Sequence, residues 1–230
     1  MRMKRKAVSV VAGLLAMCTV AMTGCQAKHQ PADQIVSALY EMGVKDNPAP
    51  ITELLGFESE DAARESLMST GTATMMDQFV EQLGGVEFDE QELQEMEASM
   101  KTMMDKLVCT AEITENGVKE KTVVLKVKSF SAADMGQLMA DIQNELSANM
   151  DQETAMAIAS GDMEVTNKVN REVIKNFIAR LSELEPKEEE TEITVKCEKL
   201  RVNVNGKDKV AWMPSDMTKF STDAEASIFK

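Results

Sequence analysis

Four thiols (Cys18, Cys25, Cys109, Cys197), one imidazole (His29), 39 carboxylates and 19 methionines are the groups of this chain that could react or hold a metal. A Ser-His or Cys-His hydrolase needs an imidazole base beside its nucleophile. His29 sits in Gln-Ala-Lys-His-Gln-Pro (26–31), which reads as a tether and not as part of a folded site. Histidine-based hydrolysis, His-ligated zinc and the His-Glu-x-x-His protease helix are therefore excluded. Cys109 and Cys197 bring two sulfurs with no further Cys or His beside them, which makes a poor zinc site. Met96, Met100, Met103 and Met104 could suit a soft cuprous ion. Leu93 and Leu107 continue the same stripe, however, and a core-facing helix accounts for the spacing. The acid-rich runs 87–97 and 185–190 lack the alternating ligand pattern of a calcium loop, and no Gly-rich phosphate loop is present. Carboxylate pairs that meet only in space stay open. No catalytic, cofactor-binding or metal-binding residue is assigned, and no cofactor is expected.

Cys25 is different, because its surroundings are ordered. Arg2, Lys4, Arg5 and Lys6 precede an uncharged, apolar or small run from Ala7 to Met22. That is the layout of an export signal, and it falls short of the roughly 20 apolar residues that a permanent spanning helix needs. Met22-Thr23-Gly24-Cys25 then resembles the lipobox of bacterial lipoproteins: a large apolar residue, two small ones and a cysteine. The resemblance implies a diacylglyceryl group on the Cys25 thiol, cleavage just before it, and palmitate-type acyl chains as the anchor. Two chains suffice for stable anchoring where one does not. The expected organisation is a signal peptide at 1–24, a lipidated cysteine and short tether at 25–31, and a single α+β domain at 32–230. The expected location is the extracytoplasmic face of the cell membrane. Six residues of tether reach at most about 20 Å, so the domain would lie close to the bilayer.

Loss of residues 1–24 removes four cations and no acid, taking the formal charge from −14 to −18. A domain so acidic repels phosphate backbones and anionic headgroups, which argues against nucleic acid as a partner. The 206 residues after Gly24 fit one domain. With one Trp, one Tyr and seven Phe, its core must rest on aliphatic side chains and Met.

Helical spacing runs from Pro31 to Gly43 and stops at Asn47-Pro48-Ala49-Pro50. Ser59 can cap a second helix whose apolar face includes Ala63, Leu67, Met75, Phe79 and Leu83. Asp89 with Glu92 forms a capping-box start for a third. The period then changes to alternation: Cys109, Ala111 and Ile113, then Val123, Leu125 and Val127, about an Asn116-Gly117 hairpin signal. Ser131 opens another helix, a short one is expected at 152–159, and Asp162 caps a long one at 163–184. The stripe Val165, Val169, Val173, Phe177, Leu181 is expected to pack on the sheet. A second hairpin turns at Asn205-Gly206, and Phe220, Ile228 and Phe229 can dock the tail. If the strands pair in sequence, Cys109 and Cys197 lie on strands separated by one other, too far apart for a disulfide; both are expected free and buried.

The order is helices, hairpin, helices, hairpin, an α+β chain with a small, mostly antiparallel sheet. A lipoprotein start, leading helices, an Asn-Gly hairpin and a last strand from Gly206 to Trp212 also resemble a group of uncharacterised Gram-positive lipoproteins. That likeness implies a cystatin-like or nuclear-transport-factor-like fold, a curved sheet over helices. Tyr40 and Trp212 could then line an apolar mouth, or Trp212 could simply fill the core. The expected function is a non-enzymatic binding module for a protein, peptide or small molecule. Alternatives are a carboxylate enzyme with a cone-shaped pocket and an accessory or solute-binding part of a transporter.

Overall fold

The computed structural model describes residues 30–67, 86 and 88–230. The signal segment, Cys25, His29, and Met75, Phe79 and Leu83 of the second expected helix lie outside the described residues. Helix α1 (Ala32–Val44) starts after Pro31, whose fixed φ suits a helix entrance, and buries Ile35, Val36, Leu39 and Tyr40. A short α2 (Ala49–Leu55) follows where only a break was expected. Pro50 stands in its first turn, where no N–H is needed, and Gly56 closes it at φ 74°. In α3 (Glu60–Leu67) the Ser59 hydroxyl accepts from the Ala62 N–H at 3.1 Å, so the expected cap is present. Helix α4 (Glu90–Asp105) carries the complete capping box: Asp89 Oδ1 accepts from Glu92 N at 2.9 Å, and Glu92 Oε2 accepts from Asp89 N at 3.0 Å.

Strands β1 (Val108–Asn116), β2 (Glu120–Lys128), β3 (Glu190–Val204) and β4 (Lys207–Pro214) form one antiparallel sheet in sequential order. Between β2 and β3 come α5 (Ala132–Asn149), α6 (Gln152–Ala159) and α7 (Met163–Leu181), capped by Ser131, Asp151 and Asp162. Helix α8 (Met217–Ala226), capped by Asp216, was not expected; it buries only Phe220 and Ala224, too sparse a pattern to stand out. The tail docks as expected. Phe130 N donates to Ile228 O at 2.8 Å, Lys230 N donates to Phe130 O at 2.9 Å, and the Phe130 and Phe229 rings lie 5.9 Å apart. Among the described residues no helix is long and apolar enough to cross a membrane.

The two hairpins differ. Asn205 and Gly206 take φ 54° and 76°, and Val204 pairs with Lys207, the tight two-residue turn expected there. At the first hairpin Asn116 instead pairs with Lys121, so the loop is wider, and the register shifts between Ile113 and Glu115. A bulge at this point adds a residue to one strand, which displaces the turn. Gly117 is still required: a Cβ there would lie 2.5 Å from the Glu120 carbonyl oxygen.

The expectation that the 163–184 helix covers the sheet is corrected. Helix α1 packs across β1, β2 and β4, while α7 ends at Leu181 and lies against α4, α5 and α6. Phe177 is buried as expected, but among helices. Ile35, Val36 and Tyr40 give α1 a fully buried face, whereas Val165, Val169 and Val173 are only half-buried, so the more apolar helix takes the sheet. The sheet also changes its buried face along β3. Ile193, Val195 and Cys197 are buried on one side, and Val202 and Val204 on the other. Neither β3 ladder contains a bulge; the far half is covered instead by the α2–α3 corner. There Ser66 Oγ donates to Asn203 O at 2.7 Å and Lys209 Nζ to Leu55 O at 2.8 Å.

Candidate functional site: a cleft between α1 and α8

Both cysteines inside the described fold are free. Cys109 is opposite Val127 and Cys197 is opposite Lys121, so they occupy opposite ends of the sheet. Six residues of strand separate those positions, about 20 Å at 3.3 Å per residue, and no bridge can form. Cys197 is fully buried, and loss of hydration pushes its thiol up to about 12. Cys109 is only half-buried, a correction to the expected full burial. It is an edge-strand residue, 3.7 Å from the Ser37 hydroxyl and 3.8 Å from Glu41 Oε1 on α1. Burial is again the main cause raising its pKa, so neither sulfur is an activated thiolate.

Met96, Met103 and Met104 are buried and Met100 packs on the same core, as the stripe implied. Among the described residues no three His, Cys, Asp or Glu side chains come together in a way that could hold a metal ion. Tyr40 and Trp212 do not share a mouth. Tyr40 is fully buried under α1, and its hydroxyl makes no hydrogen bond among the described residues. The neighbouring Ser227 hydroxyl is committed to Ala224 O at 2.6 Å, and burial pushes the Tyr40 phenol up to about 12.

A hollow of about 390 Å³ lies elsewhere, between the C-terminal half of α1 and α8. Leu39, Met42 and Val44 form one apolar wall and Met217 and Phe220 the other, with Leu67 of α3 at the border. Leu39, Met42 and Phe220 are nearly inaccessible, so they are held in place by packing behind them. Thr218, Ser221, Thr222 and Glu225 supply the polar rim. Two of these are internally oriented: Ser221 Oγ donates to Glu225 Oε1 at 3.2 Å, and Thr222 Oγ1 donates to Thr218 O at 3.1 Å. Gly43 opens the mouth, since a Cβ placed there meets nothing within 4 Å. An apolar, pre-formed concavity with a few convergent polar groups, of this size, is the form of a small-ligand site. Its walls come from residues nearly 180 positions apart, and no local signal could have announced it.

A second hollow of about 240 Å³ lies between α4 and α7, beside Glu92, Met96 and Lys175. Glu92 accepts from Arg171 Nε at 3.1 Å and ion-pairs with Lys175 Nζ at 2.9 Å. The Arg171 hydrogen bonds, then Lys175, then the Asp89 N–H hold the Glu92 carboxyl down to about 2. The capping carboxylate that starts α4 thus also fastens α4 to α7. Its partners occupy its lone pairs, which makes it a structural clamp in place of a reactive acid.

No protein-family model and no curated protein matches this chain. Its fold is similar to the crystal structure of a Bacillus subtilis (subsp. subtilis str. 168) protein described there as a candidate lipoprotein, ycdA. The TM-score is 0.52 at 15% identity, covering 86% of this chain and 56% of that one. The chain therefore spans a little over half the length of that structure, and the likeness is one of fold.

Proposed function

We propose that this chain is a lipoprotein, held by acyl chains on Cys25 at the extracytoplasmic face of the cell membrane, and that it binds a small apolar ligand without chemically altering it. One observation carries the anchoring: four cations, a charge-free run from Ala7 to Met22, and Thr23-Gly24-Cys25 follow one another in the order that export and acylation need. The fold supports it. Helix α1 begins seven residues beyond Cys25 and runs thirteen residues, about 20 Å, to the wall of the cleft. The end of the helix that follows the tether in sequence is thus the one opposite the cleft. The cleft's apolar walls and its rim of three hydroxyls and one carboxylate suit holding and orienting a ligand.

Cys25→Ala is expected to abolish metabolic labelling with palmitate and to leave a larger, unprocessed precursor; a labelled mutant would end the anchoring assignment. The cleft is tested separately by Gly43→Leu, which puts a side chain in its mouth while leaving α1 helical. Native mass spectrometry of protein extracted from membranes should show a bound small molecule on the wild type and its loss from the variant. A fully lipidated wild type that carries no adduct would sink the cleft reading and leave the anchor untouched.

A further inference from the structure

Trp212, the single tryptophan, lies on the face of the sheet that also carries Cys197, with two ammonium groups over its ring. Lys121 Nζ is 4.8 Å and Lys199 Nζ 5.1 Å from the ring centroid. They come from different strands: Lys199 is opposite Trp212 in the β3–β4 ladder, and Lys121 is opposite Cys197 in the β2–β3 ladder. Arg201, two residues beyond Lys199 on the same face, is opposite Val210. Among the described residues none of these three cations ion-pairs with a carboxylate, although most cations of the fold do. The acids nearest in the ladder, Glu120 and Glu198, pair with each other on the opposite face by alternation, and Glu120 is engaged by Lys196 at 3.4 Å. Asp208 is the one acid on this face, at its far end opposite Asn203.

In a chain with a formal charge of −14, two ammoniums over one ring and a guanidinium further along the same face, none ion-paired among the described residues, need a reason. Covering the indole with lysine stems is part of it, since the ring is only 5% exposed. Stems alone do not require two ammoniums to converge on one ring against their mutual repulsion. We infer that Lys121, Lys199 and Arg201 form an oxyanion site that takes a compact phosphorylated small molecule, with Trp212 holding the two ammoniums in place. Cation–π contact fixes the lysines before the anion arrives, and the guanidinium offers a fork matched to phosphate oxygens. Size follows from charge. A compact anion feels mainly the patch, because at physiological salt the field of more distant carboxylates decays over about 8 Å. An extended anionic surface such as a bilayer would face the acidic remainder of the protein as well.

Trp212 makes the site report on itself. In the chain purified from Cys25 onward, with Cys25→Ser to prevent acylation, its fluorescence is the only indole signal. Titration with sodium tripolyphosphate at constant ionic strength should change that signal saturably, where sodium chloride does not. Lys121→Gln and Lys199→Gln should each weaken the half-saturation point by about tenfold, as the loss of one charge-assisted hydrogen bond implies. Arg201→Gln should weaken it without altering the unliganded spectrum. Thermal midpoints should stay near that of the parent, because Lys199 and Arg201 are exposed and glutamine keeps part of the stem by which Lys121 covers the indole. A response equal to that of sodium chloride, or one indifferent to the three substitutions, would overturn the site. A stronger response to phosphatidylglycerol vesicles than to tripolyphosphate would overturn the compact-ligand assignment in favour of a bilayer contact.

Discussion

Tyr40→Ala is expected to cost the fold about 3–5 kcal/mol, whereas Tyr40→Phe should leave its stability unchanged or raise it by about 1 kcal/mol. The side chain is fully buried on the helix that crosses the sheet, so truncation opens a cavity in the core. The hydroxyl alone is a different matter. It is buried with no partner in hydrogen-bond geometry among the described residues; the Ser227 hydroxyl is near enough to lower the phenol's pKa, against the larger effect of burial, but donates to Ala224 O. An unsatisfied buried hydroxyl is a standing cost that phenylalanine would remove. Urea midpoints at constant m-value separate the two substitutions. A loss of more than about 1 kcal/mol in Tyr40→Phe would show that the hydroxyl is bonded after all. Because the chain has no other tyrosine, the phenol's own titration can be followed directly, and it should ionise well above the ordinary range, at about 12.

Phe177→Ala should be as damaging, at about 3–5 kcal/mol, but with a different footprint. Phe177, Ile178 and Leu181 are buried in α7, whose main contacts are with α4, α5 and α6. The Glu92 clamp to Arg171 and Lys175 joins the same elements, and Arg180 reaches Glu145 of α5 at 3.2 Å. These helices pack chiefly on one another, within a core that is continuous with the sheet, so the damage should be greatest among them. Hydrogen exchange is the discriminating measurement: amides of α4, α5 and α7 should lose protection in Phe177→Ala while those of β2 and β3 keep theirs. Uniform loss across the sheet would mean that the helices and the sheet open as one unit.

How much of this was legible beforehand depends on whether the signal was local. Ser59, Asp89, Ser131 and Asp162 all cap helices as expected, because an N-cap is decided within four residues. Alternation in β1 to β3 named the buried faces correctly up to Cys197, because pleating is also local. What failed was choice among partners. An apolar stripe states that α7 must be covered and says nothing of whether a sheet or three helices cover it. Composition misled at α2 and α8, where prolines and polar residues hid short helices that tertiary contacts complete. The cleft and the Lys121–Trp212–Lys199 cluster are assembled across strands and across most of the chain, beyond the reach of any spacing rule.

The two Asn-Gly steps also set how this protein ages. Deamidation begins when the glycine nitrogen attacks the asparagine side-chain carbonyl, closing a succinimide and expelling ammonia, and that requires a loose amide and a free glycine N–H. Asn205 has neither: its Oδ1 accepts from Glu58 N at 3.1 Å, its Nδ2 donates to Gly56 O at 3.1 Å, and Gly206 N donates to Asn203 Oδ1 at 3.0 Å. Asn116 sits exposed at the mouth of the wider first loop, with its ladder partner at Lys121 and no such docking of its side chain among the described residues. Two identical dipeptides therefore carry unequal clocks. The slow gain of negative charge in stored protein starts at Asn116, in the exposed loop of the first hairpin.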